Sequence, residues 1–185
     1  IQLQIQSLLG DAYLQRRFTG GKPSLRNLTS SYCQRIHALL QSRSFDLAIV
    51  YCELLPFLPG WFERQLLKIP FIYDCDDSFY LKYRHGRLAW LQPLLGTKIE
   101  RMMSAAVAIT AGNAELTAYA RHFNSNVTLI PSVVDTDQLR PVSDRPSHQL
   151  DQPFIVGWIG SPSTAPYLKQ LVDPLQKLVS ERSVR

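Results

Sequence analysis

Apolar and polar positions change period several times along the chain, and each change predicts an element. Residues 1–9, IQLQIQSLL, alternate and then meet Gly10-Asp11, which predicts a half-exposed strand and a turn. Gly20-Gly21-Lys22-Pro23 reads as a loop. After the N-cap candidate Ser24, the residues Leu25, Leu28, Tyr32, Ile36, Leu39 and Leu40 recur at helical spacing. That helix is expected to end within 41–44. Residues 45–51, FDLAIVY, are an almost unbroken apolar run, as in a parallel strand covered on both faces. Residues 57–67 read as a helix whose first turn is disturbed by Pro59 and Gly60. Residues 70–78, PFIYDCDDS, run from apolar residues straight into three carboxylates. This is a buried strand reaching its carboxyl end.

Residues 78–87 are rich in Tyr, Lys, Arg and His and contain Gly86, a composition that suits a mobile binding loop more than a core element. An amphipathic helix is expected over 88–103, carrying Leu91, Leu94, Leu95, Ile99 and Met102. Residues 105–110 read as a buried strand, and Asn113 as the N-cap of a helix over 114–122. Residues 127–130 form a short strand closed by Pro131, followed by an irregular stretch with Asp135 and Asp137. Residues 141–153 hold Pro141, Pro146 and Pro153 and read as a linker. A fresh strand is expected over 154–159, then a loop, then a helix opened by Pro166 and kinked or restarted at Pro174. The alternation predicts an α/β fold: a doubly wound, Rossmann-like parallel sheet over 1–140, a linker over 141–152, and the beginning of a second such domain over 153–185.

Composition narrows the function classes. The 45% hydrophobic and 19% charged content is globular, and no apolar run reaches the roughly 20 residues of a membrane span. The net charge of +5 fits a basic soluble enzyme, with an anionic membrane surface or a phosphate-bearing ligand as sharper readings. Lys and Arg are dispersed without an aromatic-interleaved stripe, so nucleic acid is not expected. Cys33, Cys52 and Cys75 are odd in number and far apart, without CxxC or Cys/His metal spacing; reduced thiols in the cytoplasm fit best. No GxGxxG follows any strand, which argues against a dinucleotide cofactor.

In open α/β sheets, ligands sit outside the carboxyl ends of the strands. That rule singles out Asp76 and Asp77, with one carboxylate expected to cap the following turn and the other, assigned as Asp77, left free. His85 reads either as structural or as a basic partner of the free carboxylate. Glu53 follows the strand at 45–51 and reads equally as a functional rim residue or as a cap or ion-pair partner. Asn113 is a cap, and the turn before it a place where an anion can settle. Asp74-Cys75-Asp76 is also a DxD triplet, the metal-binding pattern of the single-domain GT-A glycosyltransferases. The fresh strand after the linker argues against that reading, and no metal is expected.

Three pieces, Glu53-Leu54-Leu55-Pro56-Phe57-Leu58-Pro59, Tyr73-Asp74-Cys75-Asp76-Asp77 and Val127-Thr128-Leu129-Ile130-Pro131-Ser132-Val133-Val134-Asp135, occur in order. They are followed by Gly157-Trp158-Ile159-Gly160-Ser161-Pro162-Ser163-Thr164. Together the chain resembles the bacterial family 4, or group 1, glycosyltransferases. The resemblance implies a GT-B architecture of two Rossmann-like domains. It implies transfer of a sugar from a nucleotide-diphosphate sugar to a hydroxyl of a glycan or lipid acceptor, without a further cofactor. Gly160, Ser161 and Thr164 would then serve the donor diphosphate. Asp76, Asp77 and His85 would be catalytic, and Glu53 and Asn113 would lie on the acceptor side. The implied location is cytoplasmic, with peripheral contact at the inner membrane face. The family's first strand and helix are expected before Ile1, and its paired glutamates beyond Arg185. A catalytically inactive remnant or binding module of the same fold is the alternative.

Overall fold

A computed structural model of the chain describes residues 1–19, 21, 24–140, 155–160 and 164–181. It divides into two compact units, Ile1–Val133 and Val134–Arg185.

The first unit is an α/β layer built on four parallel strands: β1 (Ala48–Tyr51), β2 (Phe71–Cys75), β3 (Ala108–Ala111) and β4 (Val127–Leu129). Their order is β1-β2-β3-β4. The register pairs Val50 with Tyr73, and Tyr73 with Ile109. The connecting helices are α2 (Leu25–Leu40), preceding β1, then α3 (Gly60–Leu66), α4 (Gln92–Leu95), α5 (Lys98–Ala105) and α6 (Ala114–Ala120). Ahead of them lies α1 (Asp11–Phe18).

Period-two alternation places Val50, Phe71, Tyr73, Cys75, Ile109 and Ala111 on one face. These pack in a single core with Leu39, Leu67, Ile99, Met102, Met103, Leu116 and Ala120 from the helical side. The strand order explains the one-sidedness. Right-handed crossovers that always step the same way put every helix on the same face. A sheet of this kind is compatible with a Rossmann-like fold, but among the described residues the order shows no reversal, so the expected two-sided winding is absent there. The expected burial of β1 on both faces is corrected accordingly: Ile49 and Tyr51 are 66% and 54% exposed.

Four local expectations change. Residues 1–7 form no strand, because no edge pairs with them; the Gln6 carbonyl instead accepts from Arg35, 3.0 Å away. Ser24 precedes α2 without a side-chain cap bond. The helix expected over 88–103 is broken into a 3-10 stretch (Gly86–Leu91), α4 and α5, with Pro93 opening α4 and Gly96 closing it. The loop 78–87 is not a free loop. Tyr83 is buried, and Arg84 is anchored to the Gly96 carbonyl at 3.0 Å and to Glu100 at 2.5 Å. Asn113 caps α6 as expected, its side-chain oxygen accepting from the Leu116 N–H at 2.8 Å.

In the second unit, Asp135 folds its own turn by accepting from the Asp137 and Gln138 N–H groups. Residues 155–159 are exposed and irregular, so the strand expected over 154–159 is not formed there; Phe154 and the linker 141–152 lie outside the described residues. A strand needs a ladder partner, and no strand occurs among the described residues of this unit. A 3-10 stretch (Ala165–Leu171), with Pro166 in its first turn, leads into α7 (Val172–Glu181), which restarts with Pro174 in its opening turn. No helix among the described residues is long and apolar enough to cross a membrane.

Candidate functional site

The carboxyl ends of β1, β2 and β3 gather the polar groups of the first unit. Each strand ends where its apolar alternation stops, and the polar residue after it meets solvent or a buried partner.

At the end of β2, Asp74 accepts from Thr110 Oγ1 of β3 at 2.6 Å. Asp76 and Asp77 are both exposed, but their roles are exchanged relative to expectation. Asp77 is the capping carboxylate: its Oδ1 accepts from the Ser78 N–H at 2.7 Å, and its carbonyl from the Phe79 N–H at 2.9 Å. Asp76 points toward β1, where Oδ2 accepts from the Tyr51 hydroxyl at 3.1 Å. Partial burial, then the Asp76 charge, push the Tyr51 hydroxyl up to about 12, so it stays a donor at neutral pH. Gly112, after β3, approaches the same place. A Cβ on it would lie 3.2 Å from the Asp76 Cα, and its N–H donates to the Cys75 carbonyl at 2.9 Å. Asn113 follows, with its side-chain oxygen committed to the α6 cap. His85 is exposed, and no hydrogen bond or ion pair joins it to either aspartate among the described residues.

The end of β1 is built differently. Glu53 is not on the rim but buried, its side chain 1% exposed. It pairs with Lys82, with Lys98 at 2.9 Å and with the Tyr83 hydroxyl at 2.8 Å. Lys98, with a fully buried side chain, also pairs with Glu63 of α3 at 2.8 Å. Burial alone would raise the Glu53 carboxyl; Lys98 and Lys82 outweigh it and hold it below its ordinary value. Glu63 goes the other way. Burial, only partly offset by Lys98, raises it, and its Oε2 is buried without a partner. Both donors that reach Glu63, Lys98 Nζ and the Leu55 N–H, fall on Oε1, so a proton on Oε2 costs no partner.

This network clamps the backbone that follows β1. Tyr73 donates to the Cys52 carbonyl at 2.8 Å, Arg35 to Leu54 at 3.4 Å, Lys98 to Leu55 at 2.8 Å and Tyr32 to Pro56 at 2.8 Å. The Leu55 N–H donates to Glu63 at 2.6 Å and the Phe57 N–H to Tyr83 at 3.0 Å. The clamp holds two left-handed residues that are not glycine, Cys52 at φ 60 and Phe57 at φ 65. Such backbone costs about 1–3 kcal/mol per residue and persists only where the surroundings over-determine it. Burial first, and then carboxylate charges near each, push the Cys52 and Cys75 thiols up to about 11, so neither offers a thiolate at neutral pH.

The expected donor residues belong to the second unit. Gly160 is exposed, and a Cβ there would run into the Trp158 ring. Thr164 opens the 3-10 stretch, its carbonyl accepting from the Tyr167 N–H at 3.0 Å. Ser161 lies outside the described residues. On the helical flank, a groove of about 480 Å³ is lined by Arg84, Thr97, Glu100, Arg101 and Ser104. Among the described residues no group of three or more His, Cys, Asp or Glu side chains is arranged to hold a metal ion.

Sequence reasoning missed Tyr51, Glu63, Lys82, Tyr83 and Lys98. Two signals were present. Glu63 adjoins Trp61-Phe62, and Lys98 lies in register with Ile99 and Met102, so each places a charge within an apolar helical stripe.

Compared with protein-family models, curated proteins and solved structures, the chain matches none.

Proposed function

We propose that the chain acts as a GT-B glycosyltransferase whose first unit forms the acceptor side, moving a sugar from a nucleotide-diphosphate donor to a hydroxyl of a glycan or lipid. The observation that carries this reading is the polar cluster at the carboxyl ends of parallel strands, Tyr51, Asp76 and the close Gly112 turn. An open α/β sheet binds its ligands at that end. The ordered sequence pieces that resemble family 4 enzymes suggest the cluster's chemistry.

In this reading Asp76 accepts the proton or the hydrogen bond of the acceptor hydroxyl, and Tyr51 holds the carboxylate in place. Asp77 shapes the turn. Gly160, Ser161 and Thr164 remain assigned to the donor diphosphate.

The test is turnover of labelled uridine, guanosine and adenosine diphosphate sugars by the full chain, with glycan and lipid acceptors. Asp76→Asn is expected to lower turnover about a hundredfold, the scale of a positioned acid or base. Asp77→Asn is expected to lower stability more than turnover, and chelators to have no effect. Activity that survives Asp76→Asn, or that chelator abolishes and Mn²⁺ restores, would sink the assignment in favour of a metal-dependent site. No binding or turnover of any nucleotide sugar would sink the transferase reading itself.

A further inference from the structure

We infer that Phe57 is a ligand-stacking residue, a fixed aromatic face at the carboxyl end of β1 that takes the C–H face of a pyranose ring. The residue combines two costs that a merely structural phenylalanine avoids. Its side chain is left in water, at 52% exposure. Its backbone is left-handed, at φ 65, where a bulky residue is strained. Neither cost is offset by core packing, since the ring lies outside the buried core.

Yet the position is held firmly. The Phe57 N–H donates to Tyr83 Oη at 3.0 Å, Tyr83 donates to Glu53 at 2.8 Å, and Glu53 is buried between Lys82 and Lys98. The neighbouring Pro56 carbonyl is taken by Tyr32 and the Leu55 carbonyl by Lys98. Beyond its edge contact with Tyr83 and the nearby Lys82 ammonium, the half-exposed ring is left open on a rigid, strained turn, preorganised for a further contact.

The surroundings choose the ligand. The ring meets Tyr83 edge-on at 6.1 Å, and the Lys82 ammonium lies 5.3 Å from its centroid. The aromatic face is electron-rich and attracts polarised C–H groups. The adjacent ammonium is a donor for hydroxyl oxygens. A pyranose supplies both, apolar C–H groups on its face and hydroxyls on its rim. Lys82 already gives one N–H to Glu53, and an acyl chain would bury its other donors without an acceptor. That the sugar is the transferase's acceptor rests on the function proposed above; the stacking itself does not.

The test uses the full chain with ¹³C-labelled phenylalanine rings, titrated with methyl glucosides, galactosides and mannosides, and separately with a short-chain lysophospholipid. The Phe57 resonance is assigned by its loss in Phe57→Leu. A saturable shift of that resonance with one glycoside is expected, with saturation transfer to the sugar C–H protons. Phe57→Ala is expected to weaken binding about tenfold, and Phe57→Trp to retain it. Phe57→Gly relieves the left-handed strain, so it is expected to lose binding while melting at or above Phe57→Ala. Glycoside affinity unchanged in Phe57→Gly, no shift with any glycoside, or a shift with the lysophospholipid alone would each overturn the inference. Nucleotide-sugar turnover is measured on the same samples. Glycoside stacking without turnover removes the transferase reading and leaves this one; turnover with an acceptor KM unchanged in Phe57→Ala does the reverse.

Discussion

Asp76 and Asp77 are adjacent, chemically identical and exposed, and the structure gives them different work. Asp77 accepts the N–H of the very next residue, a bond that only the turn geometry allows, while Asp76 reaches a hydroxyl 25 positions earlier. Sequence alone identified the pair and the principle that one caps and the other is available. It assigned the free role to Asp77, whereas Asp77 caps and Asp76 is the one that reaches out. The choice depends on where Tyr51 lies across the ladder. Glu53 shows the same limit more sharply. Its partners Lys82 and Lys98 lie 29 and 45 residues away, so burial of the carboxylate is a tertiary event with no local trace. Lys98 is the keystone of that event. Lys98→Met is expected to cost about 3–5 kcal/mol, the scale for removing one partner of a buried ion pair, since two buried carboxylates lose their shared cation. Urea unfolding measures it, and a loss below about 1 kcal/mol would mean that water reaches the network.

Elements were legible wherever local chemistry decides them. The strand at 71–75 was readable from the apolar run and the sudden carboxylates, and α6 from its Asn113 cap. Asn113→Ala is accordingly expected to cost about 1 kcal/mol of stability. Asn113→Asp should retain most of it, because the side-chain oxygen that accepts from Leu116 is preserved. Equal destabilisation by both changes would show that the amide hydrogens, and not the cap, matter. Elements were misread where period alone was trusted. Residues 1–7 alternate like a strand, but alternation supplies no partner edge. Residues 88–103 keep a helical period across Pro93 and Gly96, but a new helix opens with Pro93 in its first turn and the chain turns at Gly96. The loop 78–87 was judged by composition, while three of its residues, Lys82, Tyr83 and Arg84, are spoken for by Glu53 and Glu100.

At the scale of the whole molecule, stability is concentrated in the one-sided layer of the first unit. Hydrogen exchange is expected to be slowest in β2 and β3, the strands with neighbours on both edges and Phe71, Tyr73 and Ile109 fully buried. Exchange in α7, whose described residues are all exposed, is expected to be fast. Protection of α7 equal to that of β2 would show that α7 has a partner in solution.

The pH dependence of folding depends on the buried network as a unit. Glu53 is held below its ordinary carboxyl value and Glu63 above it, so the two contribute with opposite signs. A depressed carboxyl stabilises the fold above its unfolded value, 4.5, and loses that contribution as pH falls through its folded value. A raised carboxyl stabilises the fold below 4.5 and loses that contribution as pH rises through its folded value. Glutamine keeps the shape of either side chain and removes its titration. Relative to the unsubstituted chain, Glu63→Gln is therefore expected to gain stability as pH climbs above 4.5. Glu53→Gln is expected to lose ground as pH rises toward 4.5 from below, since its carboxylate is then ionised only in the folded state. Urea unfolding of the three proteins between pH 3 and 8 gives both differences directly. Parallel trends in the two variants would mean that Lys98 neutralises both carboxylates alike. The unpartnered Oε2 of Glu63 would then have a donor in solution.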